Sequence, residues 1–231
     1  MGIRRGPNIV RDGLVFAVDA ANPISFVSGS TAWNDLTPNK NNGTLINGPT
    51  FDPANAGSID FDGSNDLVDF PSDSSFKPTE SMTLLVWAKG QSASTSIGIM
   101  GVIGPSGNRG YFMGCNTTQF RFSIASNSTT LVNTTANHTD TTSAPFMLTG
   151  VYLASTHLKL YKNTSEIASN TSSIPATQYI GNKPLQIGNR GDSFSNSFWN
   201  GNVYYAMIYN KALSATEITQ NYNALKGRFG L

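Results

Sequence analysis

The chain has 231 residues, 39% hydrophobic and 13% charged, with a formal net charge of +1. Charged residues usually make up about a quarter of a globular protein, so this surface is kept polar by Ser, Thr, Asn and Gly. The charge balance excludes a general basic field for nucleic acid, no apolar run is long enough to span a bilayer, and 13 Phe, 8 Tyr and 3 Trp argue against a disordered chain.

Residues 1–12 carry Ile3, Arg4, Arg5, Ile9 and Arg11 without strand alternation, and read as an N-terminal arm before a domain at 13–231. From there apolar and polar residues alternate between Gly, Pro, Asn and Asp, the pattern of short strands. The spacing predicts strands at 13–19, 58–61, 67–70, 82–89, 97–103, 110–114 and 119–125. It continues at 146–153, 157–162, 166–169, 184–187 and 201–209. Residues 31–43 read as a turn-rich loop, and 127–143 as either a polar strand pair or a long loop.

One helix follows. Ser214 and Glu217 have capping-box spacing, Ile218, Tyr222 and Leu225 recur on one helical face, and Gly227 is placed to close it. No helices alternate with the strands, which excludes βαβ folds. The expectation is all-β: two antiparallel sheets in a jelly-roll sandwich, with one short C-terminal helix over 214–225. A chain of this length needs no disulfide or metal to hold its core, and Cys115, its only cysteine, forms no intrachain disulfide.

The chemistry-bearing residues are sparse. The three Glu, at 80, 166 and 217, have no acidic neighbour spaced to share one strand face, as paired catalytic carboxylates would. His138 and His157 lie in no nucleophile motif, so no enzyme activity is expected. Arg190, Asp192, Phe194, Trp199 and Asn200 gather aromatic and polar groups in one stretch, as a carbohydrate site requires, although Trp199 could instead plug the core. Asp62, Asn65 and Asp66 cluster in one turn and offer oxygen ligands to a hard cation such as Ca²⁺; ordinary turn chemistry, which favours Asp, Gly and Asn anyway, is the plainer explanation. Seven Asn-x-Ser/Thr sites, at 42, 116, 127, 133, 137, 163 and 170, read as a by-product of composition.

Three segments resemble laminin-G-like domains of the concanavalin A-like lectin/glucanase superfamily. They are SIDFDGSNDLVDFP at 58–71, MTLLVWA at 82–88 and GNVYYAMIYNKALSATEITQNY at 201–222. The resemblance implies the sandwich fold, and a Ca²⁺ at its rim, but it leaves function open because this fold hosts enzymes, lectins and adhesive modules. Residues 6–23, 33–49 and 226–231 are similar to small virion proteins of marine tailed bacteriophages. That implies a head-decoration, fibre or knob component on the virion surface, made in the host cytoplasm without a signal peptide. Its partners would be capsid or tail proteins, gripped through Ile3, Arg4, Arg5, Ile9 and Arg11, in a trimer if several arms act together. Host or environmental glycans would be a second ligand. A stand-alone carbohydrate-binding adhesin is the alternative; a glycoside hydrolase would need the missing E-x-D-x-(x)-E pattern.

Overall fold

The computed structural model describes residues 7–91, 97–138, 141–191 and 197–231. Among these the chain forms β1 (Leu14–Asp19), β2 (Ala32–Trp33), β3 (Gly43–Ile46), β4 (Thr50–Asp52), β5 (Ser58–Asp62), β6 (Leu67–Asp69), β7 (Ser81–Gln91) and β8 (Ile97–Val102). It continues with β9 (Tyr111–Cys115), β10 (Gln119–Ala125), β11 (Leu131–Asn137), β12 (Phe146–Leu153), β13 (His157–Lys162), β14 (Ser165–Asn170), β15 (Gln186–Ile187), β16 (Asn200–Tyr209) and α1 (Ala215–Leu225). The first sheet runs β14-β13-β12-β7-β16-β5-β4, with β1 also paired to β16. The second runs β11-β10-β9-β8-β15-β6-β3-β2. They pack face to face as the jelly-roll sandwich that the alternation predicts.

The two sheets differ in how they meet water, and the sequence pattern follows. In β7, Leu84, Val86 and Ala88 point into the core between the sheets, while Leu85 and Trp87 join a second apolar cluster on the outer side. α1 supplies Ile218 to that outer cluster, with Tyr222 and Leu225 packed against it. A strand covered on both faces reads as a continuous apolar run, which is why MTLLVWA shows no alternation. β16 behaves alike, and a bulge between Val203 and Tyr205 lets Tyr204 and Tyr205 both join the outer cluster. In the second sheet β8 and β9 are buried throughout, and the outer face is partly open at β10 and β11. There Phe120, Phe122 and Ile124 of β10 are core, while Arg121 and Ser123 alternate with them.

The helix begins as expected: Ser214 accepts from the Glu217 N–H and Glu217 returns the bond, a complete capping box. Its end differs. Gly227 does not close it, because Lys226 stays helical and the chain tightens into a short 3₁₀ turn, Lys226–Phe229. Gly230, at φ 69°, is the left-handed residue that stops it. Three strands lie where no clear alternation exists: β2 inside the expected loop, and β3 and β4 among Gly, Asn and Pro. The ambiguous polar stretch contains β11, whose Thr/Asn residues pair in register with β10.

The start of the chain is tied down from Asn8 onward. Val10 is buried, its N–H donates to Asn221 Oδ1 at 2.8 Å, and its carbonyl accepts from the Tyr209 hydroxyl at 3.0 Å. Asn8 O accepts from Gln220, and Asp12 pairs with Lys211 at 2.6 Å. Residues 8–12 thus lie on the outer face of the first sheet beside α1.

Candidate functional site

The expected carbohydrate residues fall in different surroundings where the structure describes them. Asp192 and Phe194 lie outside the described residues, as do Ile3, Arg4 and Arg5 of the arm. Trp199 is fully buried in the main core. It is a core side chain and not a sugar platform, because its ring has no face left in solvent. Asn200 is exposed at the start of β16, opposite Asp62 in the first sheet. Arg190 lies outside the strands and packs on the second sheet. Its guanidinium sits 4.5 Å from the centroid of Phe112, which is itself buried. Gly98 makes this possible: a Cβ there would lie 2.5 Å from the Arg190 Cα.

Around Arg190 a row of residues crosses the outer face of the second sheet. Thr44, Asp69, Gln186, Gly101, Phe112, Ser123 and Asn133 stand in cross-strand register. Gln186 donates to Asp69 at 3.1 Å and accepts from Asn189 at 3.2 Å. At the far end, Arg121 and Ser123 both donate to Asn133 Oδ1 at 2.7 Å. The face presents amides and guanidiniums over a covered ring.

In the metal candidate, the carboxylates serve the turn itself. Asp62 Oδ1 accepts from the N–H of Ser64 at 2.8 Å and of Asn65 at 3.4 Å, and Asp66 Oδ2 accepts from the Asp62 N–H at 3.0 Å. These bonds hold the Asp62 carboxyl below the usual carboxylate range, while burial pushes that of Asp66 up. Two of the oxygens a Ca²⁺ shell would use are thus aimed at N–H groups, and Asp66 is in an environment that disfavours its charge. Among the described residues no three His, Cys, Asp or Glu side chains converge.

A cleft of about 440 Å³ at the sandwich rim has a different character. Tyr179 is the most exposed aromatic side chain among the described residues, with 36% of its surface accessible. Beside it Asn108 and Asn182 interlock: Asn108 Nδ2 donates to Asn182 Oδ1 at 2.6 Å, and the Asn182 N–H donates to Asn108 Oδ1 at 2.9 Å. Lys77 closes one side, its ammonium donating to Ser72 Oγ at 3.1 Å. The backbone is pinned throughout. The Tyr179 N–H donates to Ala125 O, that of Gly181 to Arg109 O, and that of Gly107 to Ser128 O. Nothing in residues 176–181 alternates, so strand patterning misses this site; the available signal is the Gly-Asn dipeptide present on both sides, at 107–108 and 181–182.

Sequence-family comparison matches residues 62–219 to a laminin-G family described as the concanavalin A-like lectin/glucanases superfamily. The chain belongs to this superfamily. A comparison with curated proteins finds no match. Among solved structures, this lectin-like domain is similar to the binding domain of Paraclostridial Mosquitocidal Protein 1, with TM-score 0.73 and 14% identity over 92% of this chain and 52% of that one. It is also similar to botulinum neurotoxin type C, which depends on interaction with two ganglioside molecules to enter cells (TM-score 0.72, 13% identity, 92% and 51% covered). A third is the binding domain of botulinum neurotoxin DC in complex with rat synaptotagmin II (TM-score 0.71, 11% identity, 92% and 52% covered). The lectin-like domain spans about half the length of these structures, and at such identities the likeness is one of fold.

Proposed function

We propose that the protein is a non-catalytic binding module that holds a glycan in the Tyr179 cleft. The observation that carries this is the exposed Tyr179 ring set between two interlocked asparagines on pinned backbone. An aromatic face stacks on the apolar side of a sugar ring, and nearby amide and ammonium donors take its hydroxyls. Asn182 Nδ2 and the Lys77 ammonium are the donors for that task. Because the groups are held before the ligand arrives, little ordering cost is set against binding. The structural neighbours, which include toxin binding domains, agree with a binding role.

The carboxylates support a non-catalytic reading. Glu166 is held by Lys159 at 2.9 Å and Glu217 by Lys211 at 2.8 Å. Both carboxyls are kept below the ordinary range, chiefly by those lysines. A glycosidase acid needs the opposite shift, so that it stays protonated to donate.

The test is a glycan array on the purified chain, followed by calorimetry of any hit. Tyr179→Ala is expected to weaken the hit by about tenfold or more while leaving the melting temperature nearly unchanged. Unaltered affinity in that variant, or an array without hits, would overturn the reading.

Display on a virion remains part of this proposal, with Ile3, Arg4 and Arg5 as the residues that would grip a capsid or tail protein. A deletion of 2–6 is the clean test, because one reaching residue 11 would also remove Val10 from the outer cluster. Particles that retain the 2–6 deletion variant as well as the full chain would argue against anchoring by this segment.

A further inference from the structure

Beyond that reading, we propose that a groove along β1 binds a free amphipathic carboxylate, an apolar chain with an anionic head at one end and a hydrogen-bond acceptor at the other. The groove lies on the outer face of the first sheet, far in the fold from the second sheet's polar row. Its volume is about 570 Å³, within the usual range for small-molecule sites. Ala17 and Tyr205 line it from the sheet, Ile9 and Leu225 from the two terminal segments, and Leu36 from the loop after β2.

Its walls are anchored separately, which keeps them apart. On one side Val10 is bonded to Asn221 and Tyr209. On the other, Asp35 accepts from the Ala17 N–H at 3.1 Å, and the Leu36 N–H donates to Ala17 O at 2.8 Å. Between them stands Ala17, too small to fill the gap.

Two polar groups point to the occupant. Tyr205 is 5% exposed, yet no described group hydrogen-bonds its hydroxyl. The hydroxyl is not sealed from the groove, so an acceptor on a ligand can take it in place of water. Burial, with Asp19 adding to it, pushes the Tyr205 pKa up, so the group stays a donor. Arg11 is exposed at the groove and has no carboxylate partner among the described residues. Tyr205 stands opposite Asp19 in register, whereas Arg11 precedes Leu14 at the other end of β1. Leu14 to Asp19 spans roughly 17 Å of extended strand, so the anionic and acceptor groups belong at opposite ends of an extended chain.

The probes are ω-hydroxydodecanoate, dodecanoate and methyl dodecanoate, each below its micelle concentration, followed by calorimetry and by the NMR shift of the Ala17 methyl. The ω-hydroxy acid is expected to bind tightest, at one site. Arg11→Gln should weaken both acids about two- to fivefold and leave the ester unchanged. Tyr205→Phe should weaken only the ω-hydroxy acid, by roughly threefold to tenfold, with a melting temperature close to that of the parent. Tyr179→Ala should alter none of these, which separates this outcome from the glycan reading. Absence of saturable binding at millimolar probe would overturn the proposal. So would binding that neither Arg11→Gln nor Tyr205→Phe changes, or a concentration-dependent dimer that covers the groove and excludes the probes.

Discussion

The Trp87 indole lies nearly flat on the Phe229 ring, with centroids 4.4 Å apart and planes 20° from parallel. Tyr222 is also stacked with Trp87 at 5.5 Å. A strand residue at the centre of the first sheet is thereby clamped to the C-terminal turn. Phe229→Ala should cost about 2 kcal/mol, less than a fully buried Phe because this ring is half-buried. Urea unfolding followed by Trp fluorescence checks it; a midpoint equal to the parent's would show that the clamp is ornamental.

Gly181 sets the shape of the rim cleft. A Cβ at this position would meet Asn108 Oδ1 at 1.7 Å, so Gly181→Ala must push the asparagine pair apart. Gly107 is also in the cleft but has nothing within 4 Å of its Cβ position. Both alanine variants are expected to fold, with Gly107→Ala strained by its φ of +94°. Only Gly181→Ala is expected to lower affinity for a Tyr179-dependent glycan by more than about fivefold. Equal affinities in the two variants would detach the asparagine pair from recognition.

Acid should loosen the helix start through Glu217. Lys211 and the Ser214 cap hold its carboxyl below the ordinary glutamate range. A carboxylate with a depressed folded pKa stabilises above its unfolded value, and that contribution is lost as pH falls through the folded one. The stability difference between the parent and Glu217→Gln should therefore be present at pH 7. It should shrink once pH drops below about 4. A difference that stays constant from neutral pH to pH 3 would contradict this, and parallel thermal melts measure it.

For the DG turn, Asp62→Ala removes the acceptor of the Ser64 and Asn65 N–H groups and should cost about 1 kcal/mol. The loss is expected to be the same in chelator and in millimolar Ca²⁺. A calcium-dependent rise in melting temperature that vanishes in Asp62→Ala would instead mean that the turn rearranges around the cation.

Much of this architecture is readable from residues alone, because each legible element carries its own local signal. The β10 alternation, the Ser214–Glu217 spacing and the covered run of β7 each report one environment per residue. β3 and β4 carry no such signal: Thr44 and Thr50 are placed by pairing with Asp69 and Asp60 on other strands, not by a pattern of their own. The same limit applies to the cleft. Tyr179 meets Asn108 through folds of the chain some seventy residues apart, and no periodicity encodes that meeting. Trp199 is the converse case: its sequence surroundings fit both a sugar-stacking and a core reading, and its neighbours in space decide for the core.

The placement of β16 has a consequence for biosynthesis. It is the last strand, yet it sits inside the first sheet, with β7 on one side and β1 and β5 on the other. The sheet cannot close until residue 209 has left the ribosome, and the partners it joins were made up to 195 residues earlier, at Leu14. Contacts of such long range make folding slow. During that interval β1 and β7 are exposed apolar edges, so the nascent chain passes through an aggregation-prone stage. Any premature stop before β16 should yield insoluble material and no smaller working domain.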